Sequence, residues 1–236
     1  MFGYYTDSTM LYFLLVVPAF IISLIAQAKV KTTYSRMAKV RNTSGYTGAQ
    51  AAAAVLRHYG IFDVRIEETS GKLSDHFDPR SKVIRLSREV YYGNSIAAVG
   101  IACHEAGHAA QHAQSYAPIK LRNSIIPVCN IGSYLGIPVA FVGYFLGFEP
   151  LILVGLGLYS LIALFQLITL PVEFNASARA VKVIDEAGLL RGDEEISGAK
   201  KVLSAAAMTY VAALAVTLAN LLRFAILFLG RGRKNN

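Results

Sequence analysis

The chain has 236 residues, of which 54% are hydrophobic and only 16% charged, against about a quarter charged in an ordinary globular domain. With a mean hydropathy of +0.44, that composition points to a membrane protein. The formal charge of +8 does not indicate nucleic acid, because many basic residues crowd the ends of apolar segments, where they act as topology signals. The two cysteines, Cys103 and Cys129, give no disulfide framework and suit a reducing compartment.

The first element is the uncharged run MLYFLLVVPAFIISLIAQA, Met10 to Ala28, close to the ~20 residues that span a bilayer core. It lacks a basic leader, so it reads as an N-terminal anchor and not as a cleaved signal peptide. Asp7 precedes it, and Lys29, Lys31, Arg36, Lys39 and Arg41 follow with no acidic residue among them. Basic residues stay on the cytoplasmic side, so the N-terminus is expected outside and the following segment inside. Next, TGAQAAAAVLRHYG carries Thr47 and Gln50 at capping-box spacing and closes on Gly60, which predicts a helix. FDVRIEE and SKVIRLS are rich in β-branched residues and predict two strands, with DHFDPRS as turn material between them. Asn94 and Ser95 offer an N-cap to the next helix.

That helix contains IACHEAGHAAQH, with three of the chain's five histidines. His104, Glu105 and His108 form H-E-x-x-H, which on a helix stacks two imidazoles one turn apart on one face, able to bind the same Zn2+. Zinc lowers the pKa of a water to ~7, and the intervening glutamate can take its proton. The competing reading is a buried polar helix face. Gly107, with Ala102, Ala106, Ala109 and Ala110 around it, leaves room for a metal and a substrate backbone, or serves tight helix packing. His112 lies one further turn along, too far to share an ion with both other histidines. A third histidine ligand would need a glycine turn and a fixed spacing from the first, and that position is Gln114. His112 is therefore read as a supporting or structural residue.

Two apolar runs, at about 125–147 and 151–172, flank Glu149 and Pro150 and predict a transmembrane hairpin. Gly132, Gly136, Gly143 and Gly147 make two small-xxx-small pairs in its first arm; ordinary membrane-helix glycine content is the other reading. Glu173, in LPVEFNASARA, stands where the chain should leave the membrane. A hairpin that exits where it entered would return it to His104 and His108, as the third protein ligand that a catalytic zinc requires; otherwise it is an interfacial glutamate. Pro171 suits a helix start. The last apolar stretch, about 202–222, is long enough to span, but Arg223 interrupts its continuation. Crossing there would put Arg231, Arg233 and Lys234 outside, against the charge rule, so three or four spans both stand. Cleavage within the membrane is set aside, because the apolar run before the motif is too short to span.

ACHEAGHAAQ, DHFDPRSKVIRLS and LPVEFNASARA, in this order and with a hairpin between the ligands, resemble the YugP-like family of neutral zinc metallopeptidases of bacterial membranes. The layout is more distantly similar to the HtpX and CAAX prenyl protease group. The resemblance implies a gluzincin with His104, His108 and Glu173 as zinc ligands and Glu105 as general base. Such enzymes commonly carry Asp four residues after the glutamate ligand, hydrogen-bonded to a ligating histidine; here Ser177 stands there. Its hydroxyl can orient an imidazole but cannot raise its basicity as a carboxylate would. Asn175 should point to another face. The resemblance further implies substrate binding by strand addition, with 82–86 as a candidate edge, and His76, Arg179 and Tyr210 as candidates for oxyanion stabilisation. Arg179 has Asp78 or a lipid phosphate as alternative partners.

The expected fold is a mainly α membrane protein, with a zincin-like α+β catalytic domain, a small sheet and three to four transmembrane helices. Residues 1–28 would form the anchor, 29–124 a cytoplasmic metallopeptidase domain, and 125–172 the hairpin. Residues 173–204 would form a helical segment with the third ligand, and 205–236 a hydrophobic helix with a basic tail. The expected protein is a peptidase of the bacterial plasma membrane acting on protein or peptide substrates, embedded in lipid, not binding nucleic acid, and open to helix-mediated homo-oligomerisation. The alternative function is a metal-binding membrane scaffold with little or no activity, a reading that Ser177 motivates.

Overall fold

A computed structural model of the chain describes residues 9–229; Asp7 and the basic residues of the C-terminal tail lie outside them. The protein is a mainly helical membrane protein with one small sheet. In chain order, a π-helical turn at Tyr12–Val16 leads into α1 (Val17–Met37), followed by α2 (Gly48–His58), β1 (Arg65–Thr69), β2 (His76–Asp78), β3 (Val83–Ser87) and the short α3 (Arg88–Tyr91). Then come α4 (Ile96–Ala113), α5 (Ala117–Leu146), α6 (Glu149–Glu186) and α7 (Gly192–Leu229). Among the described residues, four helical segments are long and apolar enough to cross a membrane: Thr9–Met37, Ala117–Leu146, Glu149–Glu186 and Gly192–Phe228. Residues such as Phe13, Leu14, Tyr134, Phe145, Leu153 and Leu167 are exposed on them, and apolar surface on that scale needs lipid to cover it.

The chain divides into two compact units. One comprises the described residues up to Ala26, Leu121–Leu170, and the described residues from Thr209 onward. Inside it the α5/α6 hairpin is close-packed through glycine: a Cβ on Gly132, Gly136 or Gly143 would stand 2.4, 2.6 or 2.6 Å from backbone atoms of Leu158, Tyr159 or Ile152. The small-residue pattern of the first arm is therefore used within this chain. Gly147 serves differently, turning the chain between the helices at φ +65°, a conformation natural to glycine. Ala140, Ile152, Leu156 and Phe228 form the buried centre of this unit.

The other unit comprises Gln27–Lys120 and Pro171–Met208. Its core joins α2, the sheet, α4, the later part of α6 and the start of α7 through residues such as Val55, Ile84, Leu86, Val99, Val183 and Leu203. The Thr47 capping box is formed: Gln50 N–H donates to Thr47 Oγ1 at 3.3 Å, and Thr47 N–H donates to Gln50 Oε1 at 3.0 Å. Ser95 caps α4 through the Ala98 N–H at 3.1 Å.

Four expectations need correction. The sheet order is β1-β3-β2, with β1 parallel and β2 antiparallel to β3. Val83–Ser87 is therefore the central strand, its edges already paired, and cannot offer an open edge to substrate. Val83, Ile84 and Leu86 are fully buried there, on both faces of the strand. The segment read as turn material contains β2, where Phe77 faces Ile84 across the ladder. Pro171 lies inside α6 and does not start it, a placement long membrane helices tolerate when neighbouring groups satisfy the backbone. Arg223 does not break α7: its guanidinium lies over the rings of Tyr12, at 5.0 Å, and Phe224, at 5.3 Å, where cation–π attraction offsets the loss of water.

Candidate metal centre

α4 carries His104, Glu105 and His108, and α6 carries Glu173. The two helices meet because Gly107 has no side chain: a Cβ there would stand 2.6 Å from the Ala176 carbonyl oxygen. Ala102, Ala106, Ala109 and Ala110 are buried in the core. The small residues of the motif thus serve close helix packing.

One ligand atom from each of His104, His108 and Glu173 falls within a cluster no wider than 4.8 Å. Glu173 Oε2 lies 3.4 Å from His104 Nε2 and 3.7 Å from His108 Nε2. Two ligand atoms on a tetrahedral zinc stand about 3.3 Å apart when each bond is ~2.0–2.1 Å, so these spacings fit the ion. The donor set, two imidazole nitrogens and one carboxylate oxygen, is one that zinc favours. The imidazoles sit edge to face, with centroids 4.6 Å apart. Glu173 is 5% exposed and Glu105 9%, which shields the cluster from bulk water.

Each histidine is held from behind. Ser177 Oγ lies 3.2 Å from His104 Nδ1. His108 Nδ1 meets Gln111 Oε1 at 3.0 Å, and Gln111 Nε2 donates to the Val172 carbonyl at 2.7 Å and to Asn175 Oδ1 at 3.0 Å. Burial opposes a charge on His108, but the Glu173 hydrogen bond, the nearby Glu105 and Glu173 charges and the Gln111 bond outweigh it, holding its pKa above the ordinary imidazole value.

Among the other candidate residues, His112 is exposed and packs edge-on against Phe77, centroids 6.0 Å apart. Arg179 donates from Nε to Asn175 Oδ1 at 2.7 Å and from Nη1 to Gln114 Oε1 at 2.6 Å, with its guanidinium over Tyr59 and Tyr116. Asp78 is bonded by the Ser81 hydroxyl and the Arg80 amide, which hold its carboxyl down to about 2. The nearest cation it meets is Arg85, at 3.4 Å. His76 Nδ1 donates to the Ser74 carbonyl at 2.7 Å, which leaves the neutral ring an acceptor at Nε2. Tyr210 lies on α7 within the first unit, 38% exposed. Asn175 Oδ1 accepts from Gln111 Nε2 at 3.0 Å and so braces Gln111. Gln111 escaped the sequence reading, although its position three residues after His108 puts the two side chains on one helix face.

A H-E-x-x-H helix and a glutamate from a second helix thus form, in a polytopic helical membrane protein, a His2Glu group that could hold a metal ion. The chain belongs to the family described as "Putative neutral zinc metallopeptidase", whose model matches residues 12–229. It is 49% identical over 228 residues to the "Putative membrane protease YugP" of Bacillus subtilis (strain 168), a match that covers 96% of this chain and 100% of that protein. No solved structure matches.

Proposed function

We propose that the chain is a membrane-anchored zinc endopeptidase that hydrolyses peptide bonds with Glu105 as general base. The observation carrying this reading is the convergence of His104, His108 and Glu173 within 4.8 Å, beside a buried glutamate that follows the first histidine. Zinc held by these three residues would supply Lewis-acid polarisation of the peptide carbonyl and bring the pKa of a water to ~7. Glu105 would take a proton from the attacking water and pass it to the leaving amine. Ser177 and Gln111 orient the two imidazoles. Arg179 is committed to Asn175 and Gln114, which suits a bracing role better than oxyanion binding, and a neutral His76 has its one N–H engaged by the Ser74 carbonyl.

An extended substrate would add to β2, an outer strand of the sheet whose Phe77 packs on His112 of the motif helix. The catalytic unit faces the cytoplasm of a bacterial plasma membrane and acts on membrane proteins or unfolded segments near the bilayer. The exposed basic residues Lys29, Lys31, Arg36, Lys39 and Arg41 support this orientation.

The test is zinc content and casein hydrolysis of detergent-purified wild type, Glu105→Gln, His108→Ala and Glu173→Ala. The expected result is about one zinc per chain in wild type and Glu105→Gln, its loss in the other two, and hydrolysis by wild type alone. Full activity in Glu105→Gln would remove the general base, and zinc retained by Glu173→Ala would remove the third ligand. Zinc-loaded wild type that cleaves nothing would favour the metal-binding scaffold, the reading that the neutral Ser177 contact motivates.

A further inference from the structure

The two histidines of the cluster are held differently, and the difference follows from which atoms can donate. A serine hydroxyl both donates and accepts, so the contact between Ser177 and His104 does not choose between the tautomers of that ring. The contact behind His108 does choose. Gln111 is 0% exposed and its amide faces two groups on α6. The Val172 carbonyl can only accept, so the Gln111 nitrogen must face it, at 2.7 Å. Asn175 Oδ1 is fixed as the oxygen because Arg179 Nε can only donate, and it does so at 2.7 Å. The Gln111 nitrogen therefore donates to Asn175 as well, at 3.0 Å. Two independent contacts thus orient the Gln111 amide the same way, with Oε1 turned to His108 Nδ1 at 3.0 Å. An amide oxygen accepts only, so at 3.0 Å it favours a proton on His108 Nδ1 over the more distant pull of the Glu173 carboxylate, 3.7 Å from Nε2.

We infer that Gln111 is a positioning residue that fixes His108 in the tautomer presenting Nε2 toward Glu173 and the metal, with Val172 and the Asn175–Arg179 pair setting the direction of its amide. The inference rests on the zinc-centre reading and adds a residue to it. It also gives α6 a second part in the site, since the helix that supplies Glu173 sets the tautomer of a histidine on α4.

The test uses the full chain in detergent, stripped of metal and labelled with 15N-histidine, at a pH where imidazole is neutral. In wild type the His108 signals should be those of the Nδ1–H tautomer; in Gln111→Met, which keeps the side chain's length but removes its oxygen and nitrogen, they should become a mixture. The zinc dissociation constant, read by competition with a chromophoric chelator, should rise about 10–100-fold in Gln111→Met, the usual cost of losing such a partner. Gln114→Ala, which removes only the far contact of Arg179, should change neither. A predominantly Nε2–H His108 in wild type would overturn the inference, and that measurement does not depend on any variant folding. So would a folded Gln111→Met that binds zinc as wild type does. His108→Ala is measured alongside: zinc retained there defeats the zinc-centre reading itself, whereas zinc lost there but held normally by Gln111→Met defeats only the role of Gln111.

Discussion

Ser177 approaches a ring nitrogen of His104 to 3.2 Å, and a hydroxyl there supplies direction without charge. A carboxylate in its place would favour a more basic, better-donating imidazole. Ser177→Asp is therefore expected to tighten zinc binding by about 10-fold, the lower end of the range for such partners, measured by chelator competition. Protons compete with zinc for the same nitrogens. Because the pKa of His108 is raised, its Nε2 is claimed by a proton at a higher pH than in an ordinary histidine. Zinc affinity should thus be full well above about pH 6.5, the ordinary imidazole value, and should begin to fall before that value is reached as the pH drops. A titration flat through that range would contradict it. His104, His108 and Glu105 were legible because H-E-x-x-H is a local pattern on one helix. Glu173 was legible only through the topological argument that a hairpin returns where it started. The bracing role of Asn175 was not, because it depends on how α6 is rotated against α4, and a lone sequence carries no signal for that.

At the scale of elements, Gly107 ties the motif helix to the helix that carries Glu173. Alanine would ordinarily stabilise a helix relative to glycine, but here its Cβ would stand 2.6 Å from a backbone carbonyl oxygen, which cannot swing aside as a side chain would. Gly107→Ala should force α4 and α6 apart, costing about 1–3 kcal/mol, typical of overpacking. Thermal unfolding of the purified protein should show the loss, and zinc affinity should fall with it. A variant more stable than wild type would mean that propensity outweighs the contact. The helices with capping signals were readable, since Thr47 and Ser95 act within one turn of their own backbone. β2 was not: His76–Asp78 is three residues long and runs straight into Pro79, and its strand character comes from pairing with β3. Pro171 misled for a related reason, since the rule that proline starts helices weakens inside a long apolar helix.

For the whole molecule, the orientation proposal rests on the cluster of exposed cations after the first span, and it can be tested at a place that reports the metal centre directly. Lys31 is exposed and belongs to the same compact unit as His104, His108 and Glu173, so the side of the membrane it occupies is the side of the site. The native cysteines do not interfere, because Cys103 and Cys129 are both buried and burial pushes the Cys103 thiol up and away from its reactive thiolate form. In intact cells, Lys31→Cys should resist a membrane-impermeant maleimide and react only once the plasma membrane is opened. Labelling in intact cells would place the histidines and Glu173 outside, and with them the substrates. The charge rule counts short loops near the span ends, and five cations without an acid in Lys29–Arg41 make a strong bias. Each such charge also gains about 1 kcal/mol from an anionic inner leaflet, so the electrostatics of the surface and of topology favour the same side.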